Sequence, residues 1–501
     1  MIRIKHAALG AAVMFTAAAA HAAVGVDSSA LEQAVTVDSL RSHLQALQAI
    51  ADANGGSRAS GTPGYDASVD YVAGTLAAAG YQVTRQEFSF DLFEELAPAM
   101  LEQISPTPGT YDVLVMEYSG SGDVTAALQP VDVTIDPSAP ANTSTSGCEA
   151  ADFAGFVPGN IALIQRGTCP FYDKAANAEA AGAVGAIIFN EGQAGRTEMV
   201  AGTLGASVGI PAVGLSFADG AALVDQTAAG EVVMHLFAST SVERRDTFNV
   251  IAETPGGRDD RVVVAGAHLD SVGEGPGIED NGTGSATILE VALQMSELGI
   301  EPRNKVRFAF WGAEESGLIG STYYVSQLDK RAVKDIAVNL NFDMVGSPNY
   351  VRFVYDGDGS ATPAAGPNGS DVVEGVFLDY FASRGLATEP TAFDGRSDYG
   401  PFIAVGIPAG GLFTGAEGIK TEEQAQVYGG TAGLAYDPCY HQACDDIDNI
   451  SWQALDEMSD AAAHAVLTFA MTTSSVSGTA QASAKAVEST GMLYKGNHLQ
   501  R

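Results

Sequence analysis

The sequence predicts an α/β protein: a three-layer, mostly parallel central sheet with helices on both faces, interrupted by an inserted β-rich module. Three observations predict it. From Asp246 onward, short apolar runs alternate with helical stretches, the pattern of strands delivered to a doubly covered sheet. From about Ser105 to Ser241 the character changes to many short β-like runs with Pro and Gly punctuation. The 501 residues also exceed what one ordinary core serves, so two or three domains are expected.

The chain opens M-I-R-I-K-H-A-A-L-G-A-A-V-M-F-T-A-A-A-A-H-A-A. Arg3 and Lys5 give a positive start, an apolar run follows, and Ala20-His21-Ala22 is an A-x-A cleavage site, so residues 1–22 read as a secretory signal peptide of bacterial type. The apolar run is too short to span comfortably and no other stretch reaches spanning length, so stable membrane insertion is not expected. A secreted or periplasmic location follows. Thr36–Ala53 reads as an amphipathic helix, with Leu40, Leu44, Leu47 and Ile50 at helical spacing. The turn N-G-G-S-R-A-S-G-T-P-G-Y leads to a second helix, about Tyr65–Ala79, and Tyr81–Leu92 alternates like a strand.

Inside the inserted stretch an Ala-rich helix is expected at Tyr172–Ala183. Beyond it, strands are expected at Phe248–Glu253, Val262–Ala267, Val306–Trp311, Ala337–Phe342 and Ile407–Phe413. Helices fit at Ser285–Leu298, Gly317–Leu328 and Trp452–Thr472. Residues 474–501 are Ser/Ala/Gly-rich, lack an apolar period and read as a mobile tail.

Lys plus Arg number 25 against 61 Asp plus Glu, a formal charge of -36. Such a polyanion is repelled by nucleic acid, which is therefore not an expected partner. The four cysteines suit an exported protein; three pairings are open, and the two local ones, Cys148 with Cys169 and Cys439 with Cys444, are expected. None shows zinc-knuckle spacing.

Polar residues collect at the predicted strand ends. V-V-V-A-G-A-H-L-D-S delivers His268 and Asp270, and a Gly-rich loop follows to Asp280. V-R-F-A-F-W-G-A-E-E-S-G delivers Glu314 and Glu315; A-V-N-L-N-F-D-M-V-G delivers Asp343; D-P-C-Y-H-Q-A-C-D-D delivers His441. In an open α/β sheet, ligands sit where the strands end. Two histidines and several carboxylates on one rim suit zinc.

Two resemblances follow from these residues. I-A-L-I-Q-R-G-T-C-P-F-Y-D-K-A-A-N-A-E-A-A-G-A-V-G-A-I-I-F-N resembles the protease-associated (PA) domain over roughly Asp123 to Leu236. The ordered set H-L-D, D-N-G-T-G, E-E, D-M and C-Y-H-Q-A-C resembles the M28 zinc aminopeptidases from Leu31 to Thr472. That resemblance implies a secreted enzyme acting on peptides with two Zn2+ per chain. His268 and Asp343 would bind one zinc, Glu315 and His441 the other, and Asp280 both, leaving each open for catalysis. Asp270 would accept the second imidazole N–H of His268, and Glu314 would be the general base. Tyr440 would donate to the oxyanion, and Arg396, in F-D-G-R-S-D-Y-G-P-F, would contact the substrate backbone. Tyr399 and Gly400 stand where many relatives read His and Ala, and Asp280-Asn281 is implied to be a cis peptide.

The implied organisation is a peptidase domain in two pieces, 23–104 and 245–473, around a PA domain at 105–244 that offers protein or substrate contacts. Asn142, Asn281, Asn368 and Asn449 match the glycosylation sequon by chance, and Asp456 and Asp460 read as an exposed acidic face rather than a calcium site. Other reactions on the same scaffold (carboxypeptidase, dipeptidase, glutaminyl cyclase) and a non-catalytic, receptor-like role stay open at this point.

Overall fold

The computed structural model describes residues 26–193, 195–474 and 476. The signal-like segment 1–22 and the tail past Val476 therefore lie outside the described residues.

Thr36 starts the first long helix, Val37–Ala53, through a reciprocal cap: its hydroxyl accepts from Ser39 N and the Ser39 hydroxyl accepts from Thr36 N, each at 3.2 Å. The face bearing Leu40, Leu44 and Leu47 is buried. Pro63 opens the next helix, Pro63–Ala78, at a position where a missing N–H costs nothing. Both helices pack against Gly284–Glu297, and with Trp452–Met471 they cover one face of the sheet. The other face is covered by Ile319–Ser326 and Tyr399–Ala404, whose Tyr324 and Phe402 rings lie 5.1 and 5.9 Å from that of the buried Trp311.

The sheet between them runs in the order Glu389–Thr391, Phe353–Tyr355, Ala409–Phe413, Ile336–Phe342, Arg258–His268, Asn304–Trp311, Val233–Glu253, Gln82–Ser105. The four middle strands, from Ala409–Phe413 to Asn304–Trp311, are mutually parallel. They are the apolar runs the sequence marks, and in three of them the apolar run itself is buried nearly throughout.

Two strands are longer than expected. The strand read as ending at Leu92 continues to Ser105, and the one read as starting at Phe248 starts at Val233. The two pair antiparallel from Gln82↔Glu253 to Ser105↔Val233, with irregularities between Glu95 and Met100. Pro98 and the acidic run before it break the alternation that a period-two reading needs, and the bulge accommodates that proline.

At the far end of this ribbon stands a second sheet. Gly122–Pro130, Ile161–Gln165, Gly185–Phe189 and Ala212–Leu215 run parallel, with Leu114–Val115 antiparallel at the edge. The expected helix is Phe171–Ala180, and a second one, Phe217–Ala229, was not read from the sequence. Apolar clusters separate from the main core lie on this sheet. Cys148 is bonded to Cys169 and Cys439 to Cys444. Among the described residues no helix is long and apolar enough to cross a membrane.

Candidate active site

Strand register brings the polar residues level. Trp311 pairs with His268, and Asn341 pairs with Gly266, so Asp343 emerges at the height of His268 and Glu314 three residues past it. The backbone then turns sharply. Ala313, Met344 and His441 all adopt left-handed conformations, with φ of 52°, 52° and 57°. Non-glycine residues rarely adopt them, and such strain collects at functional sites.

The loop from His268 reaches Asp280 through Gly277, whose φ is 60° and where a Cβ would stand 2.5 Å from Asp280 O. The Asp280-Asn281 peptide is cis. Asn281, fully buried, ties this loop to the Asp343 strand: its Nδ2 donates to Phe342 O at 2.9 Å, and its Oδ1 accepts from Gly284 N and Met344 N. A Cβ on Gly284 would lie 2.2 Å from Phe342 O, so only glycine fits there.

Five side chains converge in two groups that share one carboxylate. Asp280 Oδ1 lies 3.1 Å from His268 Nε2, which lies 3.3 Å from Asp343 Oδ1. Asp280 Oδ2 lies 3.2 Å from His441 Nε2, which lies 3.1 Å from Glu315 Oε2. Glu314 Oε2 stands back, 3.9 Å from His268 Nε2. The donor atoms of His268, Asp280 and Glu315, and those of His268, Glu314 and Asp343, all fall within 4.8 Å of one another.

Acids crowd this buried site. Burial opposes charge on His268, yet Glu314 and Asp343 outweigh it and push its pKa well above the usual imidazole value. Burial likewise opposes the charge on His441, which Glu315 and Asp280 overcome. Burial raises the Asp280 carboxyl, but the two histidines outweigh it and hold it low. Glu314 is lifted well above the carboxylate range, first by burial and then by Glu315, Asp398 and Asp343, with His268 opposing.

The donor set fits zinc. Separations of 3.1–3.3 Å match the edge of a coordination tetrahedron with bonds of about 2 Å. Asp343 Oδ1 is buried and accepts no hydrogen bond, which a metal would remedy. Two imidazoles with carboxylates are zinc-type ligands.

Asp270 serves more than one group. His268 Nδ1 donates to the backbone carbonyl of Asp270 at 3.1 Å, while the carboxylate stays 3.7 Å away. That carboxylate also accepts from Glu314 N and Glu315 N, at 3.3 and 3.4 Å. The amides of the Glu314 turn need partners in the buried site, and the carboxylate serves them. Tyr440 stacks on His441, with ring centroids 3.8 Å apart, and lines the cavity above Asp280 and Asp343. Arg396 lines the same cavity and pairs with Glu417 at 2.7 Å. Met344, Tyr355, Phe413 and Ala416 form an apolar wall.

The sequence missed one neighbour of Asp343. Ser397, beside Arg396, donates to Asp343 Oδ2 and accepts from Asn341 Nδ2 at 2.7 Å. Its signal was the F-D-G-R-S-D motif, which had pointed to Arg396 alone.

The fold and this site define a class: an α/β metal-dependent hydrolase with a β-rich insert. The comparisons give the family. Residues 249–466 match Peptidase family M28 and residues 129–223 match the PA domain. An aminopeptidase of Pseudomonas aeruginosa is 52% identical over 427 residues, 84% of this chain and 78% of the relative. The structure of an aminopeptidase from Aneurinibacillus sp. strain AM-1 superposes with a TM-score of 0.70 at 28% identity, covering 88% of this chain and 95% of that one. BSAP, a zinc aminopeptidase from Bacillus subtilis, gives 0.58 at 26% identity, covering 86% and 94%. The chain belongs to peptidase family M28: it is a metallo-aminopeptidase with an inserted PA domain.

Proposed function

We propose that the protein is a secreted enzyme that removes N-terminal residues from peptides with two zinc ions per chain. The observation that carries this is Asp280, whose two carboxylate oxygens each face a different histidine, at 3.1 and 3.2 Å. His268, Asp343 and Asp280 would hold one ion; His441, Glu315 and Asp280 the other. When bound, zinc supplies Lewis acidity, polarising the scissile carbonyl and lowering the pKa of water towards about 7.

The chain's own residues do the rest. Glu314 stands back from the ligand set and is the general base, accepting the proton of the attacking water on Oε2 and returning it to the leaving amine. Asp270 holds the Glu314 and Glu315 amides and so aims both side chains. Ser397 fixes the free rotation of the Asp343 carboxylate. Tyr440 and Arg396 border the space above and contact the oxyanion and the substrate backbone. The apolar wall of Met344, Tyr355 and Phe413 receives an apolar first side chain.

Residues 23–104 and 245–473 are assigned to the peptidase body, 105–244 to the PA domain and 474–501 to a tail. The leader at 1–22 supports export across a bacterial inner membrane, and the PA domain is assigned substrate or protein contacts. Purified protein digesting a peptide library, read by mass spectrometry with and without chelator, tests the proposal. One-residue N-terminal steps that stop with chelator and resume with zinc are expected. Cleavage confined to N-blocked peptides with free carboxyl ends would refute it.

A further inference from the structure

We propose that Arg58 and Asp445 are paired positioning residues that grip, by its carbonyls and by its amides respectively, the loop joining His268 to Asp280. This rests on reading those two residues as metal ligands.

Arg58 lies in the turn between the first two long helices and is fully buried. It spends its guanidinium on the carbonyls of a single loop. Nε donates to Pro276 O at 2.8 Å, Nη2 to Gly277 O at 2.6 Å, and Nη1 to Leu269 O. Its own amide donates to Ser271 Oγ at 2.8 Å. Two residues on, Ser60 Oγ accepts from Ala313 N at 2.7 Å, just before the proposed base.

Asp445 grips the same loop by its amides. Its Oδ1 accepts from Glu279 N at 2.8 Å and its Oδ2 from Asp280 N at 3.0 Å, while its carbonyl accepts from Ile278 N at 3.1 Å. Asn449 steadies it with a donor at 3.2 Å. Asp445 directly follows Cys444 and lies four residues past His441.

A guanidinium on the carbonyls and a carboxyl group on the amides match the loop's backbone polarity end to end. The guanidinium's bonds are charge-assisted and stronger than neutral ones. Residues 269–277 form no helix or strand, so their polar groups need such partners. Lysine, a point charge without a planar fork, does not reproduce three directed bonds. Asp445 also joins the loop to the segment carrying His441, so one carboxylate sets Asp280 against both histidines. Neither residue touches the proposed substrate space, and their part is to place ligands.

The test uses full-length exported protein and its Arg58→Lys, Asp445→Asn and Leu76→Ala variants. Leu76, buried in Pro63–Ala78, serves as a core-destabilising control. Zinc affinity is measured by competition with a chromophoric chelator, zinc content by elemental analysis, and Tm on metal-free protein. Arg58→Lys and Asp445→Asn are expected to weaken zinc about 10- to 100-fold and to lower kcat more than KM. Leu76→Ala is expected to lower Tm and keep wild-type zinc affinity. The double variant is expected to lose less than the product of the single losses, because both act on one loop.

Wild-type zinc affinity in both variants would overturn the proposal, even with a Tm as low as that of Leu76→Ala. If Arg58→Lys fails to fold, the near-isosteric Asp445→Asn decides by the same readout. Wild-type protein that takes up no zinc would refute the ligand reading itself, and the grip with it; that outcome shows before any variant is compared.

Discussion

His268 and Trp311 are partners in register at the ends of two adjacent parallel strands. This pairing sets the height at which both chains leave the sheet, and it brings Glu314, three residues beyond Trp311, to 3.9 Å from the His268 ring. A carboxylate near a ligand set without belonging to it is suited to proton transfer. Glu314→Gln is expected to keep zinc content at the wild-type level and lower kcat by about 10²- to 10⁴-fold, measured by elemental analysis and steady-state kinetics together. Near-normal turnover would dismiss Glu314 as the base.

Asp280 serves two histidines with one carboxylate. Asp280→Asn removes the charge they share while keeping the side chain's shape. Zinc per chain is expected to fall, and kcat/KM with it. Full metal content in this variant would separate Asp280 from metal binding.

Ser397 acts one step back. Its hydroxyl joins Asn341 to Asp343, so Ser397→Ala frees one carboxylate oxygen of a proposed ligand. The expected loss is about 10- to 100-fold in metal affinity or activity. Ser397→Thr, which keeps the hydroxyl, is expected to recover part of it. Equal behaviour of the two variants would count against the hydrogen bond.

Removing metal leaves close carboxylates facing one another in a buried site. Chelated protein is expected to melt below the zinc-loaded form. At free zinc one hundred times Kd, binding to the native state alone contributes about 2.7 kcal/mol. Scanning calorimetry across a zinc titration checks this, and a Tm independent of zinc would contradict it.

A separate pH effect comes from Glu374. Burial, and then the charge of Asp358, push its carboxyl up to about 7, against about 4.3 in an unfolded chain. The folded state holds this proton more tightly, so stability is greatest below the unfolded value and falls as pH rises from about 4.3 to 7. Glu374→Gln is expected to flatten that part of a Tm-against-pH curve. An unchanged slope would refute it.

The site and its supports were unequally legible. His268, Asp280, Glu314, Glu315, Asp343 and His441 sit in short motifs at strand ends, where side-chain chemistry and position coincide. Arg58, Asn281 and Asp445 work by bonding to backbone atoms 218, 61 and 165 positions away, and a sequence does not state such partners. Asn281 even carries a sequon, yet the structure buries it completely. Asp270 was expected beside His268, and its carboxylate also serves two neighbouring amides, which no motif in the sequence announces. Among the elements, the buried parallel strands were plain from their apolar runs. The helix Ser370–Ser383 was not picked out, although Val373, Phe377 and Phe381 repeat at helical spacing.

The paired strands Gln82–Ser105 and Val233–Glu253 have a practical consequence for anyone trimming this chain. They cross from one sheet to the other without a break, so no flexible hinge marks where the insert could be cut away. A shortened version would have to close the ladder with a new hairpin at a matched rung, such as Phe90↔Arg245. Cutting the two strands at unmatched rungs would shift one against the other, and a slip of a single residue would turn each Gln82–Phe90 side chain to the opposite face.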